Sequence, residues 1–333
     1  MSRIFFSIFF LKLTAKSVQI YYLCRNNQNK NACTNSYFCL QQKGAFGKLV
    51  KSLLLNREVS ETDLFVVCDG KRSENDKTEV DNVKTFVQEI SGFKSVKKIF
   101  REKNIGLANN IISGLNEVFS TYERAIVLED DLIVTPNFLN YMNSALDFYA
   151  DKNVFSVAGY TPKIQLPENY EFTTYPIMRN CSWGWATWKD RWQKVDFSVS
   201  DFSTFIADKK QRKKFNEAGS DLWAMLLKQQ LGEINSWSIR FCYSGFKVDM
   251  PTMYPTKSFV INNGADGSGT HVGQTSKYDT EISFEKDDFN FCPSTKIDKK
   301  ILKNFKTVYD CSLFRQLINY CKLKQYLKKC SSM

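Results

Sequence analysis

The stretch Ala125-Ile126-Val127-Leu128-Glu129-Asp130-Asp131-Leu132-Ile133-Val134 runs four apolar residues straight into three carboxylates and then resumes its apolar course. A short apolar run of this kind reads as a strand buried on both faces. Successive strand side chains point to opposite faces, so the three acids do not share one solvent-facing side. Three carboxylates crowded where a buried strand ends repel one another unless water or a cation lies among them. Oxygen ligands suit Mg²⁺ or Mn²⁺, which bridge one or two carboxylates to substrate phosphates. A solvated acidic loop after the strand is the other reading the triplet allows.

The flanking sequence supplies a sheet for this strand. Leu49, Val50, Leu53 and Leu54 recur at helical spacing, which predicts a helix over 46–56. Leu64-Phe65-Val66-Val67-Cys68 is a buried strand ending at Asp69-Gly70, and 76–90 reads as a helix with Val80, Val83, Phe86, Val87 and Ile90 inward. Val96-Lys97-Lys98-Ile99-Phe100 is the next strand. Asn104 and Gly106 suit the turn into a helix that reaches Phe119. Beyond the acids, Pro136 opens another helix, through Tyr149. This alternation predicts an α/β fold with a mostly parallel, Rossmann-like sheet covered by helices on both faces. Such sheets bind ligands at the C-terminal ends of their strands. Asp69, the loop 101–106 and the acids 129–131 then line one crevice, with Arg101 or Lys103 offering positive charge.

After residue 150 the character changes. A strand is predicted over 154–158, and four of the six tryptophans follow within ten residues, at 183, 185, 188 and 192. They read either as an aromatic core patch or as a stacking wall for a sugar or base. Residues 201–217 read as a charged, solvated helix. Ser220 is a candidate cap for a helix through Gln230, with Asp221 in its first turn. The loop 262–271 ends in the single histidine, His271. Residues 300–333 interleave Ile301, Leu302, Phe305, Val308, Leu313, Leu317 and Ile318 with lysines. This is either a helix docked on the domain or a basic amphipathic helix on an anionic membrane surface.

Composition narrows the classes. Hydrophobic content of 43% and aromatic content of 14% supply a sizeable core and exclude a disordered chain. The net charge of +11 suits anionic ligands, but it is dispersed and no nucleic-acid motif accompanies it. Ten cysteines without C-x-x-C spacing, and one histidine, give no zinc framework. They read as reduced structural thiols of a cytoplasmic protein. The apolar run 4–11 stops at Lys12, short of the ~20 residues that span a bilayer. Phosphate cradles of the G-x-x-x-x-G-K-[ST] and G-x-G-x-x-G types are absent, as is a G-x-S-x-G elbow.

In order along the chain, several motifs together resemble a GT-A glycosyltransferase. They are Val66-Val67-Cys68-Asp69-Gly70, Asn104-Ile105-Gly106-Leu107-Ala108, Leu128-Glu129-Asp130-Asp131, Ser182-Trp183-Gly184-Trp185-Ala186-Thr187-Trp188, Asp221-Leu222-Trp223 and Asp266-Gly267-Ser268-Gly269-Thr270-His271. The likeness is to bacterial family 2 sugar transferases with features of the N-acetylglucosaminyltransferase I type, over about residues 46–285. It implies an inverting enzyme that moves a sugar from a nucleotide donor, of the UDP-sugar class, to a glycan or lipid-linked glycan acceptor in surface polysaccharide synthesis. It implies that Asp69 bonds the base, that Asp131 ligates Mn²⁺ or Mg²⁺, and that Glu129 and Asp130 face ribose and donor sugar. Asn104, Gly106 and Trp185 complete the donor site, His271 belongs to a loop closing over the diphosphate, and Asp221 is the catalytic base. The implied location is cytoplasmic, with peripheral contact to the inner face of the membrane through the basic tail.

The expected organisation is a divergent segment 1–45, a catalytic domain 46–285 divided near residue 150 into donor and acceptor halves, and a helical tail 286–333. One departure stands out. The family begins with a strand of small apolar residues and an Asn-Arg turn, expected here at about 33–45. Cys39-Leu40-Gln41-Gln42-Lys43 does not supply it. The clean return at Phe46 points to strong divergence or to a disrupted reading frame upstream. A sugar- or nucleotide-binding protein that has lost catalysis is therefore the competing expectation.

Overall fold

The computed structural model of the chain describes residues 19–24, 45–262, 278, 280–284 and 288–331. Its first half comprises β1 (Gln19–Cys24), α1 (Ala45–Leu54), β2 (Asp63–Cys68), α2 (Lys77–Glu89), β3 (Ser95–Phe100), α3 (Leu107–Val118), β4 (Arg124–Glu129), β5 (Leu132–Val134) and α4 (Phe138–Phe148). The second half adds β6 (Ser156–Ala158), β7 (Thr174–Ile177), β8 (Trp185–Trp188), α5 (Lys189–Trp192), α6 (Phe202–Ala207), α7 (Lys209–Phe215), α8 (Leu222–Gln230), α9 (Trp237–Lys247), β9 (Thr252–Pro255) and β10 (Val260–Asn262). Two helices end it, α10 (Lys299–Tyr309) and α11 (Leu313–Ser331).

Eight strands form one sheet in the order β3-β2-β1-β4-β8-β6-β9-β7, and β5 pairs with β10 in a separate ribbon. The class is α/β, as the alternation predicts. The common direction expected of the strands holds for β2, β3, β4, β6 and β9, whereas β1, β8 and β7 run against it. The sheet is therefore mixed. A parallel pair needs a long crossover, usually a helix, as α2 provides between β2 and β3. No helix intervenes between β6 and β8, and those strands pair antiparallel.

The first described strand, Gln19–Cys24, was not anticipated from the sequence and fills the slot between β2 and β4. Ile20 stands opposite Glu129 and Gln19 opposite Cys68, so β1 begins at the edge where β2 and β4 end. Leu23 and Cys24 are buried. Residues 33–44 lie outside the described residues.

Alternation along the strands divides the core into two layers. Leu64, Val66 and Cys68 of β2 and Ile126 and Leu128 of β4 pack with Leu49, Val50 and Leu53 of α1 and with Phe138 and Met142 of α4. Phe65, Val67, Ala125 and Val127 face the other side, against Ile111, Leu115 and Val118 of α3 and Trp237 and Phe241 of α9. Both sheet faces are covered, which explains why these strands read as unbroken apolar runs. The charged stretch 201–217 is two short helices, with Asp208 capping α7 through the backbone N–H groups of Lys210 and Gln211. Its Phe202, Phe205, Ile206 and Phe215 are buried, while its lysines face water. In α10, Ile301 and Phe305 are buried, and Phe305 packs against Tyr254 and Tyr309 at 5.0 and 4.9 Å.

Candidate functional site

The ends of β2 and β3 are tied together by one carboxylate. Asp69, 1% exposed, accepts hydrogen bonds on Oδ1 from the backbone N–H of Ile105 (2.8 Å) and on Oδ2 from that of Gly106 (2.8 Å). Asn104 Nδ2 returns a bond to the carbonyl of Gly70 at 2.9 Å. Gly70 is needed at this crossing, because a Cβ there would meet the Lys103 backbone at 2.4 Å. Gly106 takes φ +79 to turn the chain into α3, a conformation glycine adopts without cost. The positive end of α3 therefore already faces an anion, Asp69. Arg101 turns away, toward Asn110, Ser113 and Glu117. Lys103 is exposed.

The acidic turn stands at the end of β4. Glu129, Asp130 and Asp131 are all half-buried. Burial, and then the charges of Asp131 and Asp130, push the Glu129 carboxyl up from 4.5 to about 8. The three acids look to different halves of the fold. Burial and then Asp130 push the Cys68 thiol at the end of β2 up to about 12. On the other side Glu129 adds to the burial that raises Cys181, also to about 12, while Arg179 opposes it. Asp131 leads into β5, whose first residue Leu132 stands opposite Asn262, the last residue of β10.

A pH dependence follows for the metal-free protein. An acid whose pKa is raised by folding binds its proton more tightly folded than unfolded, so stability falls as pH rises through that interval. The urea midpoint in the presence of a chelator is expected to fall between pH 4.5 and about 8 and to level off above. Glu129→Gln should flatten this slope, and an unchanged slope in that variant would assign the titration elsewhere.

The second half of the chain carries another charged group. Arg179, just after β7, makes a two-pronged pair with Asp221, Nη1 to Oδ1 at 2.8 Å and Nη2 to Oδ2 at 2.9 Å. The Arg179 guanidinium lies 4.0 Å from the ring centre of Tyr309, at the end of α10. Burial works against the Arg179 charge, but Asp221 outweighs it and raises its pKa. Asp221 precedes α8 and makes no cap bond with it; its side chain turns to Arg179 instead. Ser220, expected as the cap, ties this corner to the C-terminal segment: its N–H donates to Asp310, and its Oγ accepts from the backbone N–H of Cys311. Gly219, at φ +142, permits the close approach, since a Cβ there would stand 2.7 Å from both Arg179 Nη1 and Asp221 Oδ1.

For the tryptophan run the expectation is corrected. Trp185 is 1% exposed and stacks on Trp237 at 4.8 Å in the core below the sheet. It cannot touch a donor, because β8 aims it at α9. Trp188 and Trp192 are buried as well. Trp183 is the one left half-buried; it packs edge-on against Tyr160 at 4.7 Å and Tyr278 at 5.4 Å. Gly184, at φ +63, makes the bend that separates Trp183 from the core-facing Trp185.

Asp69, Asn104 and Gly106 are thus joined in one loop lock, and Glu129, Asp130 and Asp131 follow β4 at the same sheet edge, with β1 between them. His271 lies outside the described residues. Sequence reasoning passed over Arg179 and Tyr309. A lone arginine between Ile177-Met178 and Cys181 was the signal for the first. Among the described residues no three metal-ligating side chains converge on one point. No family model matches the chain, and neither does any curated protein.

Proposed function

We propose that the protein is a metal-assisted glycosyltransferase of the GT-A type, moving a sugar from a nucleotide donor of the UDP-sugar class to a hydroxyl of a glycan acceptor with inversion. The observation that carries this reading is the row of three half-buried carboxylates at the end of β4, on the sheet edge where β2 ends in the Asp69 loop lock with β1 between them. Strand ends of an α/β sheet are where such ligands bind.

The donor set fits Mn²⁺ or Mg²⁺. Burial and mutual repulsion already push Glu129 to about 8, a surplus of negative potential that a divalent cation offsets. A closed protein cage is not required, because these ions are commonly held by one or two carboxylates together with substrate phosphates. Asp131, with Asp130 beside it, would hold the ion. When bound, it supplies stabilisation of the negative charge that grows on the departing diphosphate.

The chain's own residues do the rest. Asp69 and Asn104 hold the loop 104–106 against the end of β2 and so fix the donor side. Trp183 offers an aromatic edge to a sugar ring. Asp221 takes the proton of the attacking hydroxyl. Each of its oxygens retains a second lone pair beyond the one given to Arg179. Arg179 fixes the carboxylate's orientation, with Tyr309 packed behind it.

The two-pronged hold of Arg179 on Asp221 also favours a second reading, a sugar- or nucleotide-binding protein that has lost catalysis. Release of nucleoside diphosphate from UDP-, GDP- and dTDP-sugars, with Mn²⁺ and a glycan acceptor mixture, separates the two. A turning-over enzyme releases it, and Asp221→Asn removes the acceptor-dependent part by at least ~100-fold, the scale of a general base, while leaving donor binding intact. Binding without release supports the second reading, and full transfer in Asp221→Asn rules that residue out as base.

A further inference from the structure

We propose that α11 is a membrane-surface helix that docks on anionic phospholipid. One side of it is committed to the protein: Asn319 and Leu323 are buried, Tyr326 packs edge-on against Phe202 at 5.7 Å, and Lys322 bonds Glu233. The opposite side carries Leu313, Phe314, Leu317, Tyr320, Cys321, Lys324 and Lys328, which at 3.6 residues per turn fall within an arc of about 120°. Leu313, Phe314, Leu317 and Tyr320 are 85, 73, 60 and 49% exposed. Large apolar side chains standing alone on a surface are ordinary, but four on one helical arc form a patch that wants a cover.

Charge decides what covers it. From 299 to 331 the chain carries nine basic residues and one acid, Asp310, which accounts for eight of the eleven net positive charges. Helix α11 itself has Arg315, Lys322, Lys324, Lys328 and Lys329 and no acid. On the outward arc the apolar residues occupy the first half and Lys324 and Lys328 the second. Apolar side chains therefore enter the acyl boundary while neighbouring ammonium groups meet phosphate. A second copy packed parallel on the same face would bring lysines against lysines, and one packed antiparallel in register would bring them against Leu313, Phe314 and Leu317. Among the described residues no helix is long and apolar enough to cross a membrane, so the contact is with the surface. The inference stands apart from the transfer reading. Together with it, it brings a lipid-linked acceptor to the site, because α11 packs on α8, the helix that Asp221 begins.

Co-sedimentation of the full chain with vesicles tests it. Vesicles of phosphatidylglycerol and phosphatidylcholine are expected to pellet the protein at least tenfold more strongly than phosphatidylcholine alone, with binding falling as salt rises. The variant L313S/F314S/L317S should lose at least tenfold in partition with its melting temperature unchanged, since these side chains are mostly in water. The variant K324Q/K328Q should lose the preference for anionic vesicles. Equal binding to both vesicle types, unchanged binding of L313S/F314S/L317S, or a dimer in light scattering that this variant abolishes would each overturn the proposal. No donor or acceptor enters this experiment, so its failure leaves the transfer reading standing.

Discussion

Asp131→Asn is expected to lower metal-dependent turnover by at least ~100-fold, the scale on which removal of one preorganised electrostatic contact acts. Asp131 is the last of the three acids and directly precedes β5, so it stands outside both strands. The asparagine keeps the shape and one oxygen but loses the charge that attracts a divalent cation. Glu129 is also relieved, because Asp131 is the stronger of the two charges that raise its pKa. The metal-free protein should therefore gain stability at pH 8 while losing turnover. Steady-state rates across a Mn²⁺ titration check the first effect and urea denaturation the second. Wild-type rates at every Mn²⁺ concentration would remove the metal from the Asp131 side chain.

Arg179→Met carries the second large effect. Side chains of Arg179 and Asp221 are 13 and 21% exposed, and the two form an ion pair. Breaking a buried pair by removing one partner costs about 3–5 kcal/mol, because the remaining charge is left uncompensated. The methionine keeps much of the packing against Tyr309, so the loss is electrostatic. Pairing it with Asp221→Asn should restore part of the stability, since replacing both members of a buried pair is often near neutral. A double-mutant cycle in urea measures the coupling. A loss under ~1 kcal/mol in the single variant, the range of surface ion pairs, would make the pair incidental to folding.

The elements of the first half were legible because their spacing reports burial directly. Val66 and Val67 go to opposite layers, and so do Val127 and Leu128, which is what an unbroken apolar strand in a covered sheet requires. Strand direction was less legible, because β8 and β1 take theirs from long-range pairing with β4 and not from local pattern. The same limit applies to the site. Asp69 was singled out correctly as a residue at a strand end, but its orientation depends on Ile105 and Gly106, thirty-six and thirty-seven positions on. The tryptophans looked alike in sequence. One bend at Gly184 sends Trp185 into the core and leaves Trp183 out. Arg179 finds Asp221 forty-two residues away and Tyr309 on a helix that the sequence assigned to a tail. Periodicity carries no information about such meetings.

The most direct test of the account is a thermal-shift titration of UDP-, GDP- and dTDP-sugars with and without Mn²⁺, run on the native chain and on Asp131→Asn. A ligand that binds only the folded state stabilises it by about 2.7 kcal/mol at a hundred times its dissociation constant. The account predicts that one nucleotide class raises the melting temperature in a concentration-dependent way, that Mn²⁺ enlarges the rise, and that Asp131→Asn loses the enlargement. No rise with any of the three classes, or the same Mn²⁺-dependent rise in Asp131→Asn, would contradict it.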